Sequence, residues 1–290
     1  MLPDALRAAL EEYLGDPIEE HASVGGGCIA NGCRIETDTR SYFLKWGDAS
    51  VARTFPGEAV GLEALSAAAS AIEVPTVVHH APPTDDTPGF LLMQWINSGR
   101  KGLDFWSTFG EELAALHRHT HDQYGFAASN FIGRLPQDNT WTAPWPSFFR
   151  KRRLAPQVQM AQERGYWRPE WDPALRTLYQ RLPDLLPAHP PASVLHGDLW
   201  SGNFMVTAIG VPALIDPAVY YGHRETDVAM TELFGGFDAS FYDAYRRAWA
   251  LEPGYEKRRD IYNLYHLINH LNHFGARYAA QVDGVLQHFR

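Results

Sequence analysis

The stretch from Val194 to Val206, VLHGDLWSGNFMV, followed by Ala213-Leu-Ile-Asp216, constrains this chain more than any other. Two short apolar runs, Ser193 to Leu195 and Phe204 to Val206, read as strands flanking a polar turn that carries Asp198 and Asn203. A third apolar run delivers Asp216 ahead of Pro217. Gly, Asp, Asn and Pro are all turn formers, so each of these residues alone is ordinary turn chemistry. Together they place three oxygen-bearing side chains at the edges of neighbouring strands. Mg²⁺ prefers such a set: one or two carboxylates with an amide oxygen and waters.

Asp198 and Asn203 stand five positions apart, the D-x-x-x-x-N spacing of a phosphoryl-transfer catalytic loop, and Asp216 takes the place of the metal-holding aspartate of the next loop. The reaction needs a carboxylate to accept the attacking hydroxyl's proton and oxygen ligands for a cation that bridges the phosphates. The predicted roles are therefore Asp198 as base and Asn203 with Asp216 as Mg²⁺ ligands, with ATP as the phosphoryl donor.

The N-terminal third supplies matching parts. Pro3 to Leu14 carries Leu6, Leu10, Tyr13 and Leu14 on one stripe before Gly15, which predicts a short amphipathic helix. Ser23 to Glu36 and Ser41 to Trp46 read as a β-hairpin whose first strand is entered through Gly25, Gly26 and Gly27. Glycines there let backbone N–H groups approach phosphate oxygens, although a plain tight turn explains them equally well. Cys28 follows them, either as an oxidisable thiol or as a small residue filling a strand.

Lys45 is a single cation among Tyr42, Phe43, Leu44 and Trp46, where a charge is costly without a partner. It is expected to orient the ATP phosphates and to pair with Glu58 at the start of a helix spanning Gly57 to Ile72, with Glu63 solvated; an edge-strand lysine that discourages aggregation is the alternative. Val74 to His79 and Phe90 to Ile96 read as further strands. The second would form a hinge, with the adenine edge near Gln94 to Ile96 and Met93 closing the back of the pocket.

From Leu103 onward the pattern turns helical, with Asp104 to His119, Trp171 to Leu186, Asp227 to Phe234, Ser240 to Trp249 and Tyr255 to His273 as expected helices. Gln123 to Tyr166 is aromatic and poorly periodic; Trp141, Trp145, Phe148 and Phe149 fit a core or a pocket wall. His117, His119 and His121 alternate, but on a helix His119 would face away from the other two, leaving a solvated helix end rather than a metal site. The net charge of −9 argues against nucleic acid and anionic membranes as partners. With no apolar run of membrane-spanning length, no basic-then-apolar leader and only two cysteines, a cytoplasmic enzyme is expected.

Taken together, the motifs resemble the protein-kinase-like superfold in its small-molecule form, the branch of aminoglycoside and choline kinases. They are most similar to the fructosamine (ketosamine) 3-kinase family. The marks are Gly25-Gly-Gly-Cys-Ile29, Phe131-Ile-Gly133 with Leu135-Pro-Gln137, Trp145-Pro-Ser-Phe-Phe149 with Arg153-Leu-Ala-Pro-Gln157, His196 to Asn203, and Ile215-Asp-Pro to Glu225 with Met230 to Phe237 and Tyr265 to Gly275. The resemblance implies an α+β, bilobal fold: a nucleotide-binding lobe over residues 1–96, made of a small antiparallel sheet with a helix, and a larger, mainly helical catalytic lobe over 97–290.

The resemblance further implies phosphorylation of the 3-hydroxyl of a free or protein-bound ketosamine, whose 3-phosphate breaks down and frees the amine. It puts Trp200 against the sugar or its amine, lets His270 and His273 reach the sugar, and makes Asp227 a structural carboxylate under the catalytic loop. The rival readings are a kinase for another small amine or alcohol and a catalytically silent nucleotide-binding protein.

Overall fold

The computed structural model describes residues 2–25 and 30–290. Gly26, Gly27 and Cys28, singled out above, lie outside the described residues. Five strands, β1 (Ile18–Ser23), β2 (Asn31–Thr37), β3 (Ser41–Gly47), β4 (Val77–Ala81) and β5 (Gly89–Gln94), form an antiparallel sheet in the order β1-β2-β3-β5-β4. The sequence reading has no counterpart of β1. Only Ile18 is buried on it, and Glu19, Glu20 and His21 face solvent, so this charged edge strand shows no apolar alternation. Because Ser23 pairs with Cys33, Gly25 lies in the connection between two paired strands rather than at the entrance to the first.

Side-chain alternation divides the sheet between two cores. Cys33, Ile35, Leu44, Trp46, Phe90 and Leu92 pack under the amphipathic helix Asp4–Leu14, which ends at Gly15 in the left-handed conformation. Leu91 and Met93 point the other way, into the main core, with the helix Phe55–Ala68. β5 thus buries both faces, which is why its sequence is an unbroken apolar run. The helix Phe55–Ala68 starts with Pro56 in its first turn and gives way to extended backbone at Ala69, so Ile72 is buried beyond its end rather than on it.

The rest of the chain is mainly helical. Phe105–Leu116, Asp172–Leu185, Glu225–Leu233, Ala239–Ala248 and Tyr255–Phe274 follow the expected apolar stripes with ends shifted by a few residues. Asp104 precedes the first of these without making a side-chain cap. Gln123 to Tyr166 resists a single period for a structural reason. After a hairpin of Asn130–Ile132 with Leu135–Gln137, one helical run from Trp145 to Glu163 has a π-helical middle, Phe149–Leu154. The wider turn shifts the phase of the stripe. Trp145, Phe148 and Phe149 are fully buried core, while Trp141 stacks on His121 at 4.3 Å.

The alternating histidines are corrected outright. The helix ends at Leu116, and Thr120–His121 is a short strand. His117 is fully buried, not a solvated helix end. Among the described residues no cluster of three His, Cys, Asp or Glu could hold a metal, and no helix is long and apolar enough to cross a membrane.

Candidate active site

Two small antiparallel pairings bring the polar turns together. Strand Ala192–Leu195 pairs with Tyr220–His223 and ends in His196-Gly-Asp198. Phe204–Val206 pairs with Pro212–Leu214, and the Ile215 N–H donates to the Asn203 carbonyl at 3.1 Å, which sets Asn203 beside Asp216. Gly197 has to be glycine: its φ is +81°, and a Cβ there would sit 2.1 Å from the Ala218 carbonyl oxygen. The helix Phe55–Ala68 closes on the same segment through Gly61, where a Cβ would meet the Val219 side chain at 3.1 Å.

A buried polar network fixes this backbone. Asp227 accepts the His196 N–H (2.7 Å) and the Gly197 N–H (2.9 Å), with His117 Nε2 at 3.3 Å. His117 Nδ1 faces the Tyr245 hydroxyl at 2.8 Å. Burial pushes the His117 pKa down, so the ring is neutral and is assigned the tautomer that donates Nε2–H to the carboxylate. Burial alone would raise the Asp227 pKa, but the His117 and Gly197 hydrogen bonds more than offset it and hold the carboxyl below its ordinary value. Beyond Asp216, Asn130 Nδ2 donates to the Val219 carbonyl at 2.8 Å and Gln137 Nε2 to the Ala218 carbonyl at 3.0 Å. Arg153, fully buried, lies 3.9 Å from the centre of the Tyr220 ring.

The Asp227 arrangement predicts a stability loss of about 3 kcal/mol for Asp227→Asn in urea denaturation, since buried charge-assisted hydrogen bonds are lost and an amide N–H is turned on backbone donors. The sign of its pH dependence follows from the depressed pKa. The wild-type advantage is complete above the unfolded value near 4 and disappears as pH falls through the folded value. The two stability curves should therefore converge in acid.

Lys45 on β3 is the hub of the site. Its Nζ contacts Glu58 Oε1 at 2.6 Å and Asp216 Oδ1 at 2.5 Å. Burial would lower the Lys45 pKa, but the Asp216 and Glu58 carboxylates outweigh it and keep the ammonium charged. Glu58 is pushed up, chiefly by burial and against the pull of Lys45. The Lys45 and Glu58 side chains are 11% and 13% exposed and Asp216 is 41% exposed, so Asp216 is the member open to a ligand. Among the described residues it is also the one non-glycine with positive φ, +55°, a conformation aspartate tolerates better than most. The direct Lys45–Asp216 pair was not foreseen from the sequence.

Asn203 Nδ2 donates to the Asp198 carbonyl (2.8 Å) and to Asp198 Oδ2 (3.1 Å). The Asp198 carboxyl is pushed up to about 7, first by burial and then by the like charges of Asp216 and Asp227, with the Asn203 hydrogen bond opposing. All of Gly25, Lys45, Glu58, Met93, Gln94, Ile96, Asp198, Trp200, Asn203, Asp216 and His273 line one cavity of about 790 Å³ between the sheet and the helical body. Gln94 N–H already donates to the Thr76 carbonyl at 2.8 Å, so that hinge group is committed within the protein. Trp200 is 37% exposed and lies edge-to-face with Phe234, and His273 Nε2 faces the Ile132 carbonyl at 3.2 Å. Phe131, Arg134 and Asn269, to which the sequence reading gave no role in the site, also line this cavity. Phe131 and Arg134 sit on or beside the short hairpin, whose strands were too brief to show a period.

A small antiparallel sheet and its helix, closing on a helical body across such a cavity, are the protein-kinase-like fold. An aminoglycoside phosphotransferase, solved with AMP-PNP and hygromycin B, superposes with a TM-score of 0.68 over 98% of both chains at 15% identity, a likeness of fold. The family described as fructosamine kinase matches residues 3–289, and the chain belongs to it. A probable ketoamine kinase of Synechocystis sp. is 40% identical over 281 residues, 96% of this chain and 93% of that protein. A structure from Thermobifida fusca assigned as a fructosamine-3-kinase is 29% identical, covers 98% of this chain and 97% of its own, and has a TM-score of 0.86.

Proposed function

We propose that the protein is a ketosamine 3-kinase, transferring the γ-phosphoryl group of ATP to the 3-hydroxyl of a fructosamine or ribulosamine adduct and so leading to deglycation. The observation that carries this reading is the meeting of Lys45, Asp198, Asn203 and Asp216 in one cavity, in a chain whose family and relatives bear ketosamine-kinase names. Residues 1–96 serve as the nucleotide lobe and 97–290 as the catalytic and substrate lobe, in a cytoplasmic enzyme.

Asp198 accepts the proton of the attacking hydroxyl as its oxygen bonds to phosphorus and the bond to the ADP oxygen breaks. A carboxyl poised near neutrality suits a general base. Lys45, steadied by Glu58, turns its ammonium to the phosphates. Backbone groups from Gln94 to Ile96 flank the adenine edge, with Met93 behind it, and Gly25 begins the phosphate-side loop. Trp200 and His273 bound the acceptor end.

The donor set fits magnesium. One exposed carboxylate, Asp216, stands beside the carboxamide of Asn203, whose nitrogen is engaged with Asp198 and whose oxygen remains for a cation. Bound there, Mg²⁺ would neutralise charge on the phosphate oxygens. ADP formation measured against fructosamines, ribulosamines, aminoglycosides and choline tests the assignment. The highest kcat/KM should fall on a ketosamine; turnover confined to an aminoglycoside or choline would overturn it, and nucleotide binding without any transfer would favour a silent scaffold.

A further inference from the structure

The acceptor end of the cavity is walled by the last turns of the helix Tyr255–Phe274, through Asn269, His270, His273 and Phe274. Most polar side chains of this helix are satisfied inside the protein. Tyr265 donates to Gln137 Oε1 at 2.7 Å, Asn272 Nδ2 donates to Gln157 at 2.8 Å, His270 Nδ1 faces the His266 carbonyl at 2.9 Å, and His273 faces Ile132. Asn263 Oδ1, His266 Nδ1 and Asn272 Oδ1 on this helix also lack a partner, but of these residues only Asn269 lines the cavity. It is 97% buried, and its Nδ2 has no hydrogen-bond partner. A buried amide N–H is rarely left unpaired, because it loses water and gains nothing in return; where it occurs, a missing partner is the usual physical explanation.

Its surroundings indicate what that partner is. Asp198 and Trp200 line the same cavity, so a molecule whose reacting hydroxyl meets Asp198 has room to extend towards Asn269. A carboxamide offers a donor and an acceptor side by side, which matches a sugar oxygen and its hydroxyl proton and matches neither an ammonium nor a phosphate alone. The aromatic groups there, Trp200, His270 and Phe274, bring apolar faces but few donors.

We propose that Asn269 is an acceptor-recognition residue, its side-chain amide hydrogen-bonding the oxygen on a carbon adjacent to the hydroxyl that is phosphorylated. This rests on the ketosamine reading for the identity of the sugar, not for the role of the residue. A site built to bond such an oxygen discriminates strongly against an analogue lacking it, because the protein group is then left buried and unpaired.

The test uses full-length protein, Mg-ATP and three acceptors: fructosyl-lysine, an analogue lacking the C2 oxygen, and an analogue lacking the C4 hydroxyl. Wild type should lose at least about tenfold in kcat/KM with one of the two analogues. Asn269→Leu, close in shape, should raise the KM for fructosyl-lysine by a similar factor with the KM for ATP unchanged, and the penalty for that analogue should vanish in the variant. If neither analogue is penalised in wild type, no oxygen beside the reacting hydroxyl is being read and the proposal is overturned whatever the variants do. An acceptor KM unchanged in the variant, or an analogue penalty that persists in it, overturns it too. Should Asn269→Leu fail to bind an ATP analogue, Asn269→Ser is read in its place. If wild type phosphorylates no ketosamine, the functional reading fails instead. The same KM comparison is then made with whichever acceptor is turned over, and an unchanged KM there overturns the role of Asn269 itself.

Discussion

Asp198→Asn should lower kcat by about 10²–10⁴-fold, the usual contribution of a positioned general base, while leaving the affinity for a non-hydrolysable ATP analogue within a few-fold of wild type. The substitution keeps the volume and leaves an oxygen to accept the Asn203 hydrogen bond now made at 3.1 Å. It removes the only function that requires a basic carboxylate: taking the hydroxyl proton as the O–P bond forms. An interaction used mainly in the transition state shows in kcat rather than in ground-state binding. Steady-state kinetics beside calorimetric titration of the analogue separates the two. A kcat within a few-fold of wild type would take the base away from Asp198, and a collapse in nucleotide affinity would recast the residue as part of the nucleotide site.

Asp216→Ala should be as damaging, by a different route. The proposed function gives this carboxylate two duties. It is the exposed member of the Lys45 triad and, in the function proposed above, it holds Mg²⁺ together with Asn203. Removing it should raise the Mg²⁺ concentration needed for half-maximal activity by at least about tenfold, one lost charged contact being worth roughly 1.5–3 kcal/mol, and should depress kcat as well. Lys45 would then face Glu58 alone, 2.6 Å away, so nucleotide affinity measured without divalent cation should change little or even improve. That split, poorer with the cation and unimpaired without it, would distinguish a metal ligand from a merely structural carboxylate. Equal losses in both conditions would contradict the assignment.

The placement of the polar turns was legible because their spacing is local. Asp198, Asn203 and Asp216 lie on short connections between strands whose apolar residues are unmistakable, and a two-strand pairing suffices to bring Asn203 beside Asp216. Lys45 was legible for the opposite reason, as a charge where burial demands a partner. That it would find Asp216 as well as Glu58 depended on the closure of a helix against a distant segment through Gly61, a contact with no local signature. β1 escaped notice because an exposed edge strand needs no apolar face. The π-helical turn at Phe149–Leu154 scrambled the stripe around it. His117 read as a surface residue because the two groups that bury and neutralise it, Asp227 and Tyr245, stand more than a hundred positions away. Asn269 lay inside the Tyr265 to Gly275 block without drawing a role, since an asparagine on a long helix announces nothing until its missing partner is located.

The central claim is that this cavity phosphorylates the hydroxyl at C3 of a ketosamine. It is tested most directly by following fructosyl-lysine with Mg-ATP and the protein by ³¹P–¹H correlation NMR. The account predicts a phosphorus coupled to the C3 proton, followed by loss of that signal as free lysine and inorganic phosphate appear. A stable phosphate on C6, or on any carbon other than C3, would contradict it.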